Sequence, residues 1–162
     1  MAGKDLNDLF LETLKDIYYA EKQILKSLPK MAKAATARQL RAAFEKHRDE
    51  TKDQIERLEK IFELLGQPPR GKKCDAIEGI LDEGKEIIEE YEGSPALDAG
   101  LLAAAQAVEH YEISRYGTLK SWAGGLSMAS AVRLLDQTLA EEMKTDNTLS
   151  KIAETAVNAK AA

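Results

Sequence analysis

Four glutamates occupy positions that helical periodicity would give to apolar side chains, and a fifth stands beside such a position. Glu21 continues the series Phe10, Leu14, Ile17, Ile24, Leu28, Met31, in steps of three and four. Glu109 and Glu112 fall within Leu102, Ala105, Tyr116, Leu119, Ala123, and Glu142 within Val132, Leu135, Leu139, Leu149, Ala153. Glu50 flanks a further series, Leu40, Phe44, His47, Thr51, Gln54, Leu58, Ile61, Leu65. Such steps keep side chains on one helix face. Each stripe is therefore apolar at both ends and polar in its middle.

Unpaired buried carboxylates cost many kcal/mol or take up protons. Two divalent cations remove that cost. Carboxylate-rich helices with Glu-x-x-Glu or Glu-x-x-His spacing are the arrangement that di-iron and di-manganese bundles use. Here the spacings are Glu109 to Glu112 and His47 to Glu50. A phase drift that leaves one glutamate exposed explains a single case, but poorly explains four helices doing so at one height. Glu21, Glu50, Glu109, Glu112 and Glu142 are the candidate metal ligands, with His47, Gln54 and Asp146 as weaker candidates. No catalytic residue is assigned. His110 points about 100° away from Glu109, on a small-residue face with Ala103, Ala107, Ser114 and Gly117, and reads as structural or interfacial. Tyr18 and Tyr116 read as core residues, and Cys74 as a plain thiol. There is no GxSxG, P-loop, GxGxxG or HExxH motif.

The elements that must position these carboxylates follow from the punctuation. Helices are expected over 6–34, 38–65, 95–123 and 127–157. Pro29 should kink the first or end it early. Ala35-Thr36-Ala37 forms the first break, Gly66 caps the second helix and Pro68-Pro69 stops it. Ser94-Pro95 reads as a helix start, Gly124-Gly125 as a stop, and Ser127 as the N-cap of the last helix. Glu21 and Glu50 lie equally far from the first break, and Glu109 and Glu142 equally far from Gly125, so each pair is level in its hairpin. Between the hairpins a connection of nearly 30 residues carries a shorter helix, 73–91, with Ile77, Ile80, Leu81, Ile87 and Ile88 on one side. Four long helices with two short loops and one long crossover make an all-α, ferritin-like four-helix bundle in a single domain, 1–162. Two separate helical hairpins would each be too thin to bury their stripes.

Composition bounds the rest. The chain has 162 residues, 44% hydrophobic and 31% charged, enough to bury a core. A net charge of −5 argues against a nucleic-acid partner. One cysteine excludes an internal disulfide framework and a Cys-rich zinc site. No apolar run reaches membrane-span length and the first residues lack a signal peptide's apolar run, so a cytoplasmic location without membrane partners is expected.

The stretches LKDIYYAEKQILKSLPKMAKAA, HRDETKDQIERLEKIFELLG, CDAIEGILDEGKEIIEE and AVEHYEISRYGTLKSWA resemble the YciF/YciE-type bacterial stress proteins, a ferritin-like family. The likeness runs in order from about Asp8 to Ala153, closest to the YciF type. It implies a ferritin-like bundle, a homodimer, a cytoplasmic setting in stress responses, and a di-metal centre of iron or manganese. On that reading Glu21 and Glu142 are terminal ligands, Glu50 and one of Glu109 and Glu112 bridge, and the other is a further terminal ligand. Redox chemistry with oxygen or peroxide is one function such a centre would serve. The alternative is a non-catalytic dimeric stress protein whose site is degenerate or empty; iron storage in a 24-subunit shell has no support in the residues. One departure matters. Ferritins and rubrerythrins carry Glu-x-x-His on the second and fourth helices, whereas here Glu50 is followed by Asp53 and Gln54, and Glu142 by Thr145 and Asp146. So few nitrogen ligands shift the expectation towards oxygen-preferring manganese.

Overall fold

In the computed structural model, which describes residues 3–162, Asp5 and Asp8 start the first helix by capping each other. The Asp8 amide donates to Oδ1 of Asp5 at 3.1 Å and the Asp5 amide to Oδ2 of Asp8 at 2.9 Å, which satisfies two of the free donors at a helix start. Helix α1 then runs Leu6–Ala34, passing through Pro29 without ending. The expected early stop does not occur: Pro29 lies on the exposed side, where water can reach the backbone carbonyl that proline leaves unpaired. Helix α2 spans Arg38–Leu64, α3 Asp75–Glu90, α4 Leu97–Gly125 and α5 Ala129–Ile152; a π turn, Ala153–Val157, and a short α6, Asn158–Ala161, follow.

The C-terminal ends of α2 and α4 use the same device. After α2, the amide of Gly66 donates to the Glu63 carbonyl and that of Gln67 to the Phe62 carbonyl, with Gly66 at φ +65°. After α4, Ser127 donates to Gly124 and Met128 to Ala123, with Ser127 at φ +57°. Both are Schellman closures needing a left-handed residue after the helix. Ser127 therefore does not cap α5, as expected from its type. The glycines at 124 and 125 fall inside the last turn of α4, leaving Ser127 at the left-handed position, and α5 starts with no side-chain cap.

α1 packs on α2, α2 on α5, α5 on α4 and α4 on α1. This closed ring of four, with α3 as the crossover, is the ferritin-like bundle. Short loops make α1/α2 and α4/α5 antiparallel. Thr36 at the end of α1 meets Asp98 at the start of α4, so that pair is antiparallel too. α3 lies outside, against α1 and α4. Ile77 is fully buried there and Ile80, Leu81, Ile87 and Ile88 are half-buried. Gly100 permits this approach: a Cβ on it would lie 2.7 Å from Ile87 Cγ2.

Inside the ring, Phe10, Leu14, Phe62, Leu58, Leu119 and Leu135 form an apolar layer on one side of the middle, and Leu28, Leu40, Phe44, Leu101 and Leu149 one on the other. The polar side chains between them are cut off from water at both ends.

Candidate metal centre

His47 sits at the hub of that middle layer. Its Nδ1 lies 2.9 Å from Oε1 of Glu109, and its Nε2 3.4 Å from Oε2 of Glu142 and 3.7 Å from Oε2 of Glu112. One donor atom from each of these four residues falls within 4.8 Å of all the others. Glu21 adjoins the group beside Glu112 and Glu142. All four glutamates are 0% exposed and His47 is 3% exposed. α1 supplies Glu21, α2 His47, α4 both Glu109 and Glu112, and α5 Glu142, so every helix of the ring contributes.

The group is rich in acceptors and poor in donors. Oε2 of Glu21, Nε2 of His47 and both oxygens of Glu109, Glu112 and Glu142 are buried without a hydrogen-bond partner. The 2.9 Å approach of His47 to Glu109 is thus a contact of charge without hydrogen-bond alignment. Tyr116 makes the one direct side-chain hydrogen bond to these carboxylates, donating its hydroxyl to Oε1 of Glu21 at 2.6 Å. Thr51 donates to the His47 carbonyl at 2.7 Å. Buried polar atoms are rarely left unpaired in folded proteins, so the orphans concentrate where a positively charged occupant would satisfy them.

Protonation follows from the same crowding. Burial and the charge of Glu142 raise Glu21 to about 8. Burial likewise raises Glu109 against the pull of His47, and raises Glu112 with the help of Glu142, Glu21 and Glu109. Burial pushes the His47 imidazole down, but the Glu109 and Glu142 carboxylates outweigh it and hold the ring charged well above its usual range. Glu142 goes the other way: burial would raise it, yet Glu109 and His47 outweigh burial and hold it at about 2. Without metal, the group as a whole is biased towards holding protons, with Glu142 its most acidic member.

The remaining candidates lie apart from this group. Glu50 is at the rim, its side chain 22% exposed, with Lys46 at 3.4 Å and Thr145 donating to it at 3.4 Å. Gln54 is fully buried one turn further on, its amide donating to Glu141 at 3.0 Å. Asp146 lies on the outer α4–α5 seam, accepting from Gln106 at 3.2 Å and facing His110 at 3.2 Å.

The DUF892 family, described as a domain of unknown function, matches residues 5–162. The chain belongs to this family. It is 43% identical over 162 residues to Protein YciF of Escherichia coli K12, covering 99% of this chain and 98% of that protein. The crystal structure of the E. coli stress protein YciF superposes with a TM-score of 0.91, covering 96% of this chain and 99% of that one. A Rhodopseudomonas palustris protein described as YcfI, a putative structural protein, superposes at 0.89 with 47% identity, covering 93% and 96%. A Xanthomonas campestris protein at 20% identity and TM-score 0.73 shares the fold. This family member is thus a homologue of a stress protein, with a buried histidine–glutamate group in its bundle.

The sequence offers both His47 and Glu50 but ranks Glu50 higher, whereas the structure places His47 at the centre and Glu50 at the edge; the signal was present, because His47 lies on the α2 stripe and Glu50 on its flank. The feature that sequence reasoning missed is the Arg57 network. Arg57 grips Glu141 with two hydrogen bonds, 2.7 and 2.8 Å, and donates to Thr138 at 3.1 Å. This bridge between α2 and α5 closes the seam next to Gln54. Arg57 and Glu141 lie off their stripes, so no periodicity marks them. Among the described residues, no helix is long and apolar enough to cross a membrane.

Proposed function

We propose that the histidine–glutamate group is a centre for two divalent metal ions, iron or manganese, and that this family member acts in stress responses through redox chemistry with dioxygen or peroxide. The observation that carries the reading is the set of buried carboxylate oxygens left without partners around His47. His47, Glu109, Glu112 and Glu142 would hold one ion. Glu21 would extend the set, and Glu50, which shares a small polar cavity with His47, is the remaining carboxylate at its edge. Bound ions of this kind supply a place where dioxygen or peroxide is reduced. The protein's own residues prepare it. The apolar layers exclude water, Tyr116 orients Glu21, and the Glu109 carboxylate holds the imidazole in place. Metal binding would displace protons from this group, because ligands bind metal deprotonated.

The test is metal content of protein purified from its native host, together with melting curves after chelation and after adding iron(II) or manganese(II). A ligand at a hundredfold excess over Kd stabilises by about 2.7 kcal/mol. Metal-induced stabilisation should be present in the wild type and sharply reduced in Glu109→Gln and Glu21→Ala. A second reading has its own observation: His47 Nε2 lies 3.4 Å from Glu142, so a charged imidazole would itself neutralise part of the group. In that case the centre is structural, in line with the description of the R. palustris relative. Equal metal shifts in all three proteins would favour it.

The proposal includes a homodimer. α3 covers its apolar face within one chain, which narrows the expected interface to the α4–α5 side, where Ala103, Ala107, His110 and Ser114 are exposed and Met143 is 51% exposed. A monodisperse monomer by light scattering at micromolar concentration would contradict it.

A further inference from the structure

Two small cavities lie in line beneath the crossover helix. The outer one, about 30 Å³, is bounded by Gly84, Ile88 and Ala104, with Lys30 and Lys85 at its mouth. The inner one, about 10 Å³, is bounded by Ile24, Ala105 and His47. They share four walls: Ser27, Met31, Leu81 and Val108. A water-sized body needs roughly 10–15 Å³, so the outer chamber holds one or two such bodies and the inner is a constriction ending on the imidazole. Ser27 is the single polar side chain where the two meet. An apolar space of this kind stays dry and takes up apolar guests.

A different cavity reaches His47 from the α2–α5 side. It is lined by the polar residues Lys46, Glu50, Lys144, Thr145 and Thr148, with Ala43. His47 thus stands between a passage of apolar residues and one that offers it polar side chains.

We infer that the passage under α3 admits dioxygen to the His47 edge of the centre, separately from the polar opening at Glu50. The inference rests on the redox reading above. Size and lining choose the occupant. The space is too narrow for an organic substrate, its walls offer a charged ion nothing, and two lysines at its mouth oppose a cation. Hydrogen peroxide, with two hydroxyl groups to satisfy, is better served by the polar side.

Gly84 provides the test. A Cβ there would meet only Ala104 Cβ, at 3.8 Å, so a larger side chain at 84 grows into the outer chamber without touching the metal-binding set. Metal-free protein is first exposed to xenon, followed by xenon NMR or by diffraction under xenon pressure. Xenon should occupy the outer chamber of the wild type and be displaced in Gly84→Leu. Next, iron(II)-loaded wild type and Gly84→Leu are compared for dioxygen and for peroxide consumption. Dioxygen consumption should be about tenfold slower in the variant, since the close packing around His47 leaves only the opening at Glu50 as another route, while iron(II) affinity and peroxide consumption stay at wild-type values. Val108→Phe, which fills the shared wall, gives an independent block should Gly84→Leu fold poorly. No xenon in the wild-type chamber, or unchanged dioxygen rates in a folded blocked variant, overturns the passage. Equal slowing of peroxide overturns the choice of occupant. Xenon binding in a wild type that binds no iron would overturn the redox reading and, with it, the assignment of dioxygen, while leaving the cavity demonstrated.

Discussion

Tyr116 on α4 donates its hydroxyl to Oε1 of Glu21 on α1 across 2.6 Å, both residues lying in the sealed middle of the bundle. The Glu21 oxygen it satisfies is the only one of the eight carboxylate oxygens on Glu21, Glu109, Glu112 and Glu142 with a hydrogen-bond partner. Tyr116→Phe keeps the ring and removes the donor. It should destabilise the metal-free protein by about 1–3 kcal/mol, the cost of leaving a buried acceptor unpaired. Urea midpoints in chelator should show the loss; no change would mean that Glu21 finds another partner.

The pH dependence of the metal-free protein is set by the same group. Glu21 has its pKa raised from 4.5 to about 8. Between those values the folded state keeps a proton that the unfolded state has lost, so stability falls as pH rises through that window. Glu109 and Glu112 act in the same direction. His47, raised above 6.5, adds stability that is present at lower pH and lost as pH rises through its folded value. Glu142 opposes them: lowered from 4.5 to about 2, its contribution is present above 4.5 and lost as pH falls towards 2. Chelated protein should therefore melt highest near pH 4 to 5, roughly where these trends cross, and lower at pH 8. With iron(II) or manganese(II) the trend should reverse, because ligands bind metal deprotonated.

Ligand substitutions should separate the buried set from the rim. Glu112→Gln and His47→Ala should each remove most of the metal-induced melting shift. Glu50→Gln should reduce it less, since Glu50 is 22% exposed and engaged with Lys46 and Thr145. Titration calorimetry with manganese(II) provides the comparison. A Glu50→Gln loss as large as that of Glu112→Gln would place Glu50 in the inner set.

Asp98, at the start of α4, ties down the turn between α1 and α2, which is distant in sequence. It accepts from the Thr36 amide at 2.8 Å, the Thr36 hydroxyl at 2.6 Å and the Ala37 amide at 2.7 Å. α2 begins at Arg38 after Ala37, with no side-chain cap of its own. Asp98→Ala should cost about 1.5–3 kcal/mol, as for hydrogen bonds to a charged group, read from urea midpoints.

Ser127→Gly should stabilise the protein. A left-handed residue other than glycine costs about 1–2 kcal/mol, against about 0.4–1 kcal/mol of added unfolded-state entropy for glycine. A net gain of about 0.5–1 kcal/mol, or roughly 2 °C in Tm for a chain of this size, is expected by calorimetry.

Periodicity and punctuation determined the all-α class, the ring of four long helices with a crossover, and the presence of glutamates within otherwise apolar stripes. These are local properties: a 3.6-residue repeat and a glycine after a helix act within a few residues. What the stripes could not rank was distance from the bundle axis. One helix turn offers His47 and Glu50 almost equally, and only the angle at which α2 packs between α1 and α5 sends the first inward and the second to the rim. The same holds for Ser127, whose residue type suits a cap but whose place after two helical glycines makes it a left-handed closure. Asp98 holding the α1–α2 turn, Arg57 joining α2 to α5, and the gap between Gly84 and Ala104 all depend on which helices become neighbours. That choice is made by burying all the stripes at once, so no single stretch of sequence contains it.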